Sequence, residues 1–238
     1  MYSMYFWHLK YFRHLKLVVV KRVLLSFILL LFIICSYGQE PFKKKILIGI
    51  KGGGTFSQIR FYPNVDQFFN EGYTGGIAFK IITERHVGIQ TEINYTQKGW
   101  RELVSEGLEY SRRLNYLDIP FMTHVSLGKK RFGFFFNIGP SLSFLLSEEE
   151  MLNSEELTVS DIAGPGLYYS QPVDNKVDFQ FTFGLGARLE LKNGNAMELE
   201  SRIYASLPNI LDTKKYPYQS AQNQVATVTL SYLFSLTK

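Results

Sequence analysis

Residues 177–191 read VDFQFTFGLGARLEL. Val177, Phe179, Phe181, Phe183, Leu185, Ala187, Leu189 and Leu191 are apolar. Asp178, Gln180, Thr182, Gly184, Gly186, Arg188 and Glu190 stand between them. Period-two alternation puts one set on each face of a strand. The run covers 15 residues, well beyond the usual strand of about 5–6 residues. A lipid-facing strand of a membrane barrel needs such a stripe: about ten tilted residues, apolar outside and polar or small inside.

The alternation recurs. Stretches 45–52, 72–82, 87–97, 113–126, 131–144, 196–205 and 223–235 bring the total to eight strands. The connections between them then alternate in length. Those at 53–71, 98–112, 145–176 and 206–222 are long, and those at 83–86, 127–130 and 192–195 are short. Short periplasmic turns opposite longer outside loops are expected of a transmembrane barrel with both termini in the periplasm. Asn193–Gly194 is a strong hairpin signal. The fold class predicted is all-β: an eight-stranded antiparallel up-and-down transmembrane β-barrel, closed so that no backbone edge meets lipid.

Composition agrees. Five bases (Lys10, Arg13, Lys16, Lys21 and Arg22) and no acid precede VLLSFILLLFII at 23–34. This apolar core is too short to span as a helix, and Ser36 and Gly38 are small residues ahead of Gln39. The pattern predicts a signal peptide over 1–38 and a barrel domain over 39–238. Cys35 invites a lipoprotein reading, but Ile34 stands where a small residue is required. Cleavage would leave 21 acids and 21 bases from a chain of 21 and 26, so basicity argues nothing for nucleic acid. It would also remove the single Cys, and with it any disulfide or thiolate metal site. The expected location is a bacterial outer membrane.

A soluble eight-stranded barrel is the alternative, with its apolar face inward. Periodicity alone does not choose between the two. The leader, the loop alternation and the aromatics at strand ends (Tyr73, Trp100, Tyr110, Tyr116, Tyr204 and Tyr232) favour lipid outside.

GIKGGGTFSQI (49–59), VGIQTEINYTQKG (87–99), LNYLDIP (114–120), FNIGPSLSFLL (136–146) and LSYLF (230–234) together resemble the PorT-type outer-membrane β-barrel domain of Bacteroidota. The resemblance covers nearly all of 39–238. It implies an association with type IX secretion, which exports proteases and adhesins, and it brings no catalytic residues. One departure is SLTK after Phe234, where such barrels usually close on an aromatic.

The second face of the strands carries the charge, including Lys51 and Lys80. Glu92, Asp118, Arg188, Glu190, Glu198, Glu200 and Arg202 are candidates for a channel lining or an acid–base site. In a lumen of eight strands the expectation is an interior ion-pair network, because buried charge is costly unless paired. His124 shares the inward parity of Asp118, which raises a general-base pair; a satisfied interior histidine is the alternative. Glu148, Glu149, Glu150, Glu155, Glu156, Asp161 and Asp174 face one base, Lys176, in the third long loop. They suggest calcium or a basic partner, but calcium-loop spacing is absent and a solvated run is expected. Gly52–Gly54 lacks the Lys-Ser/Thr of a phosphate loop.

The reading is a non-enzymatic barrel that needs no cofactor and acts as an accessory in secretion or envelope assembly. Its partners would be membrane lipid and lipopolysaccharide, together with secretion proteins met at periplasmic turns holding Arg85, His86, Lys129 and Lys130. No nucleic acid is involved. A small passive pore and an outer-membrane enzyme are the competing classes.

Overall fold

The computed structural model describes residues 43–237, apart from 106, 130, 165–166, 213 and 217–219. The predicted leader over 1–38 lies outside the described residues. The strands are β1 (Lys45–Tyr62), β2 (Gln67–Phe68), β3 (Asn70–Ile82), β4 (Val87–Ser105), β5 (Leu108–Lys129), β6 (Phe132–Leu152), β7 (Val177–Glu190), β8 (Ala196–Ser206) and β9 (Ser220–Ser235). One 3-10 turn, Val159–Asp161, interrupts the connection after β6.

Every pairing is antiparallel. The ring runs β1-β3-β4-β5-β6-β7-β8-β9 and closes where β9 returns to β1, with Ile50 opposite Tyr232. The two-residue β2 only adds to β4. Eight strands form the barrel, connected up and down, and none has a free edge. Register keeps faces aligned: Phe183 lies opposite Ile138 on one side and Ile203 on the other. All three point outward and are exposed. The outer belt continues through Ile48, Ile50, Ile77, Phe79, Phe134, Phe179, Phe181 and Leu230. Lipid is the solvent that makes such a surface stable.

The strands overshoot this belt. β5 holds 22 residues; at about 3.3 Å each and a tilt near 45° they rise about 50 Å, twice an apolar band of about 25 Å. The expected long loop at 98–112 is therefore a correction. β4 and β5 run on and meet in a tight hairpin around Gly107, whose φ of 78° lies in the left-handed region. Likewise β1 continues to Tyr62 and β6 to Leu152, shortening the expected loops at 53–71 and 145–176. The alternation of loop lengths thus fails at β4–β5.

The reason is a swap of polarity along single strands. Above Phe56 on β1 the outward residues become Gln58 and Arg60, while the inward ones become Ile59 and Phe61. On β4 and β5 the outward set becomes Arg101, Glu109 and Arg113, while Trp100, Tyr110 and Leu114 turn inward and are buried. A search for apolar-outside alternation stops where the strand leaves lipid, although the strand itself continues.

Candidate functional site: the filled lumen and its rims

The middle of the lumen is built around Arg202 on β8. Its guanidinium is bidentate to Glu92 on β4 (2.8 and 2.9 Å) and to its own-strand neighbour Glu200 (2.6 and 3.1 Å). The Tyr204 hydroxyl accepts a further bond at 3.1 Å. Lys51 on β1 adds a second cation, 3.0 Å from Glu92 and 3.6 Å from Glu200. Gly184 makes room for this cluster: a Cβ there would lie 2.2 Å from the Glu200 carboxylate.

Two further pairs fill the space around it. Lys80 donates to both oxygens of Glu198, at 2.6 and 2.7 Å. Lys98 meets Asp118 at 2.8 Å and also reaches Ser143 and Gln180. Asp178 has no cation partner among the described residues; it accepts instead from Gln180, Asn223 and Ser206. All these charged groups are buried. Forked, two-sided pairing of this kind offsets the desolvation of charge in so narrow an interior.

Of the residues singled out from sequence, Glu92, Asp118, Glu198, Glu200 and Arg202 stand in the lumen. Glu190 sits lower, at the rim of the short turns, bound by Lys45 and by Arg188 at 3.4 Å. The sequence reading put Lys51, Lys80 and Asp178 on the inward face without naming them in the network, and it left out Lys98. The His124–Asp118 pair is not formed. His124 Nδ1 lies 2.7 Å from the Asn137 side-chain oxygen, Asn137 donates to Glu200, and Asp118 is held by Lys98. A base relay through Asp118 loses its geometry.

Above the network the interior is aromatic. Phe61 stacks on Tyr168, with ring centres 5.5 Å apart, and Trp100 packs edge-on to both. Ile59, Leu114, Val173, Ile210 and Leu211 complete the cluster. Trp100, Tyr110, Tyr116 and Tyr204, expected at the lipid interface, point into the barrel instead. Tyr73 does face outward, and it pairs with Tyr95, their ring centres 5.8 Å apart.

The segment after β6 folds down over this cluster. Tyr168 and Val173 are buried, and the Tyr168 hydroxyl donates to Glu102. Arg112 ties the segment in place. It pairs with Glu148 (2.6 Å) and Glu150 (2.8 Å) and donates to the carbonyls of Tyr168 and Gln171. The acidic run is thus corrected as well: Glu148 and Glu150 are strand residues facing inward, not solvated loop acids. Glu149 lies 3.5 Å from Arg113. Asp174 pairs with Lys215, and although partial burial opposes it, that ammonium and the Asp212 N–H hold its carboxyl below the usual range. No cluster suited to a metal occurs among the described residues.

The lower end is closed by Leu47, Ala78, Ile82, Ala196 and Leu233, all buried inside. The short turns lie below them. Arg85 and His86 occupy the β3–β4 turn, and the His86 ring lies 2.9 Å from the Ser126 carbonyl. Lys129 ends β5; Lys130 lies outside the described residues.

The model of the outer membrane protein beta-barrel domain family matches residues 37–212. No curated protein matches the chain. Among solved structures, OprG from Pseudomonas aeruginosa is 10% identical, with a TM-score of 0.48 over 80% of this chain and 96% of that one. Neisserial surface protein A is 6% identical, with a TM-score of 0.45 over 81% and 98%. Ail, the attachment invasion locus protein of Yersinia pestis, is 9% identical, with a TM-score of 0.40 over 79% and 98%.

Proposed function

Because the chain belongs to the outer membrane protein beta-barrel domain family, it is an outer-membrane protein, and we propose that it is a non-enzymatic, non-conducting accessory of protein secretion. One observation carries this reading: buried side chains of the described residues occupy the lumen at each level, apolar at the bottom, ion-paired in the middle and aromatic at the top. A polypeptide has no path through eight strands so packed. The work then falls to the surfaces that leave the membrane. The basic periplasmic turns reach secretion machinery, and the PorT-type motifs support type IX secretion as the system served.

Three measurements test this. Purified protein in planar bilayers is expected to show no steady conductance; reproducible nanosiemens-scale steps would make it a pore. A clean deletion is expected to reduce secreted proteases and surface adhesins. Secretion unchanged by the deletion would remove the secretion role and leave the barrel assignment standing. Acidic replacement of Lys129 and Lys130 is expected to impair secretion with the barrel intact.

A further inference from the structure

The periplasmic mouth holds a cleft of about 140 Å³ that the lumen network does not fill. It opens where Gly128 and Gly133 lie opposite each other across β5 and β6. Neither has a side chain to close the mouth. Arg85, Arg131 and Arg188 line the cleft, with Glu190 as the one acid.

Charge is unbalanced there. Glu190 is already engaged by Lys45 and Arg188. Arg85 and Arg131 are exposed, and neither guanidinium has a hydrogen bond or ion pair with another side chain among the described residues. Two free planar forks beside a cavity match the oxygens of a phosphate.

The cleft also borders the bilayer. Leu127, Phe132 and Phe134 contribute to its lining and are each more than half exposed on the outer face (56, 54 and 61%). A phosphate attached to a lipid is held at this height by its acyl chains. Its effective concentration therefore far exceeds that of a soluble anion.

We propose that this cleft binds the phosphate of an anionic phospholipid from the periplasmic leaflet, with Arg85 and Arg131 as its ligands. The site is independent of any secretion role. It would fix the height and rotation of the barrel at the rim where the basic turns face the periplasm.

The test uses the protein in nanodiscs of phosphatidylcholine doped with phosphatidylglycerol, with retained lipid read by native mass spectrometry. The wild type is expected to keep phosphatidylglycerol in preference to phosphatidylcholine. The Arg85→Gln, Arg131→Gln variant is expected to keep at least about tenfold less, since two charge-assisted bonds are lost. Both positions are exposed, and heat-modifiable migration on gels verifies that the variant barrel is folded. Equal retention by wild type and variant, or no preference between the two lipids, would overturn the proposal. Binding of millimolar inorganic phosphate by the wild type but not the variant, with no phosphatidylglycerol retained by either, would assign the cleft to a free anion. Binding of a micromolar acidic peptide on the same terms would assign it to a protein partner. Either result overturns the lipid.

Discussion

Lys98 and Trp100 stand two residues apart on the inward side of β4, and they live in different interiors. Lys98 is surrounded by Asp118, Ser143 and Gln180. Trp100 is surrounded by Phe61, Tyr110 and Tyr168. The outer faces change in the opposite sense, from Ile93 and Tyr95 below to Arg101 above. One continuous strand therefore serves two solvents. Within the bilayer the apolar side faces lipid, and polar groups must find one another inside. Beyond it the apolar side turns inward, as in any water-soluble barrel. The comparison teaches that the face a residue occupies and the kind of residue it is are independent signals. Their relation locates the membrane edge.

The largest expected effect belongs to the lower interior. Arg202→Ala would leave Glu92 and Glu200 buried with Lys51 as their one cation among the described residues, beside the amides of Asn94 and Asn137. It is expected to cost about 3–5 kcal/mol, as for other broken buried pairs. Urea unfolding of protein folded into lipid vesicles measures this. A loss below about 1 kcal/mol would mean that water, not Arg202, neutralises the lumen.

The two exteriors come next. Phe183→Arg places a charge in the belt and is expected to cost about 2–4 kcal/mol. Gln58→Arg, outward on β1 above the belt, is expected to stay within about 0.5 kcal/mol of wild type. Equal costs in the same unfolding assay would erase the boundary between the regions.

The upper interior is expected to give the smallest of the buried effects. Tyr168→Phe removes the hydroxyl that donates to Glu102. The expected cost is about 1–3 kcal/mol for the unpaired carboxylate oxygen. Faster proteolysis within 153–176, with heat-modifiability unchanged, would localise that loss to the region outside the bilayer. Loss of heat-modifiability would show that the two regions unfold as one.

The belt was legible in the sequence, because 177–191 states its alternation without interruption. The ring of eight strands followed from it. The upper strands were not legible. Lys98, Trp100 and Glu102 do alternate with Gly99, Arg101 and Leu103, but with mixed polarity, so the period carries no hydrophobic contrast. The same swap disguised Trp100 and Tyr110 as interface aromatics. That Lys51 and Lys80, already on the inward face, and Lys98 pair with the lumen acids was recoverable by charge accounting. Glu92, Asp118, Glu190, Glu198 and Glu200 greatly outweigh Arg188 and Arg202, and a buried excess of acid demands further cations. Lys51, Lys80 and Lys98 supply them. Asn137 as the partner of His124 had no such signal, since strand parity says which residues face inward but not which of them meet across the lumen.

The most direct test of the two-solvent account is cysteine labelling along β1. The sequence holds a single Cys, at 35, so substitutions within the barrel start from a clean background once the predicted leader is removed. Single cysteines at Ile48, Ile50, Phe56, Arg60 and Tyr62 would be exposed to a membrane-impermeant maleimide on reconstituted protein. The account predicts protection at Ile48, Ile50 and Phe56 and rapid labelling at Arg60 and Tyr62. Protection extending through Tyr62, or labelling of Phe56 as fast as Arg60, would contradict it.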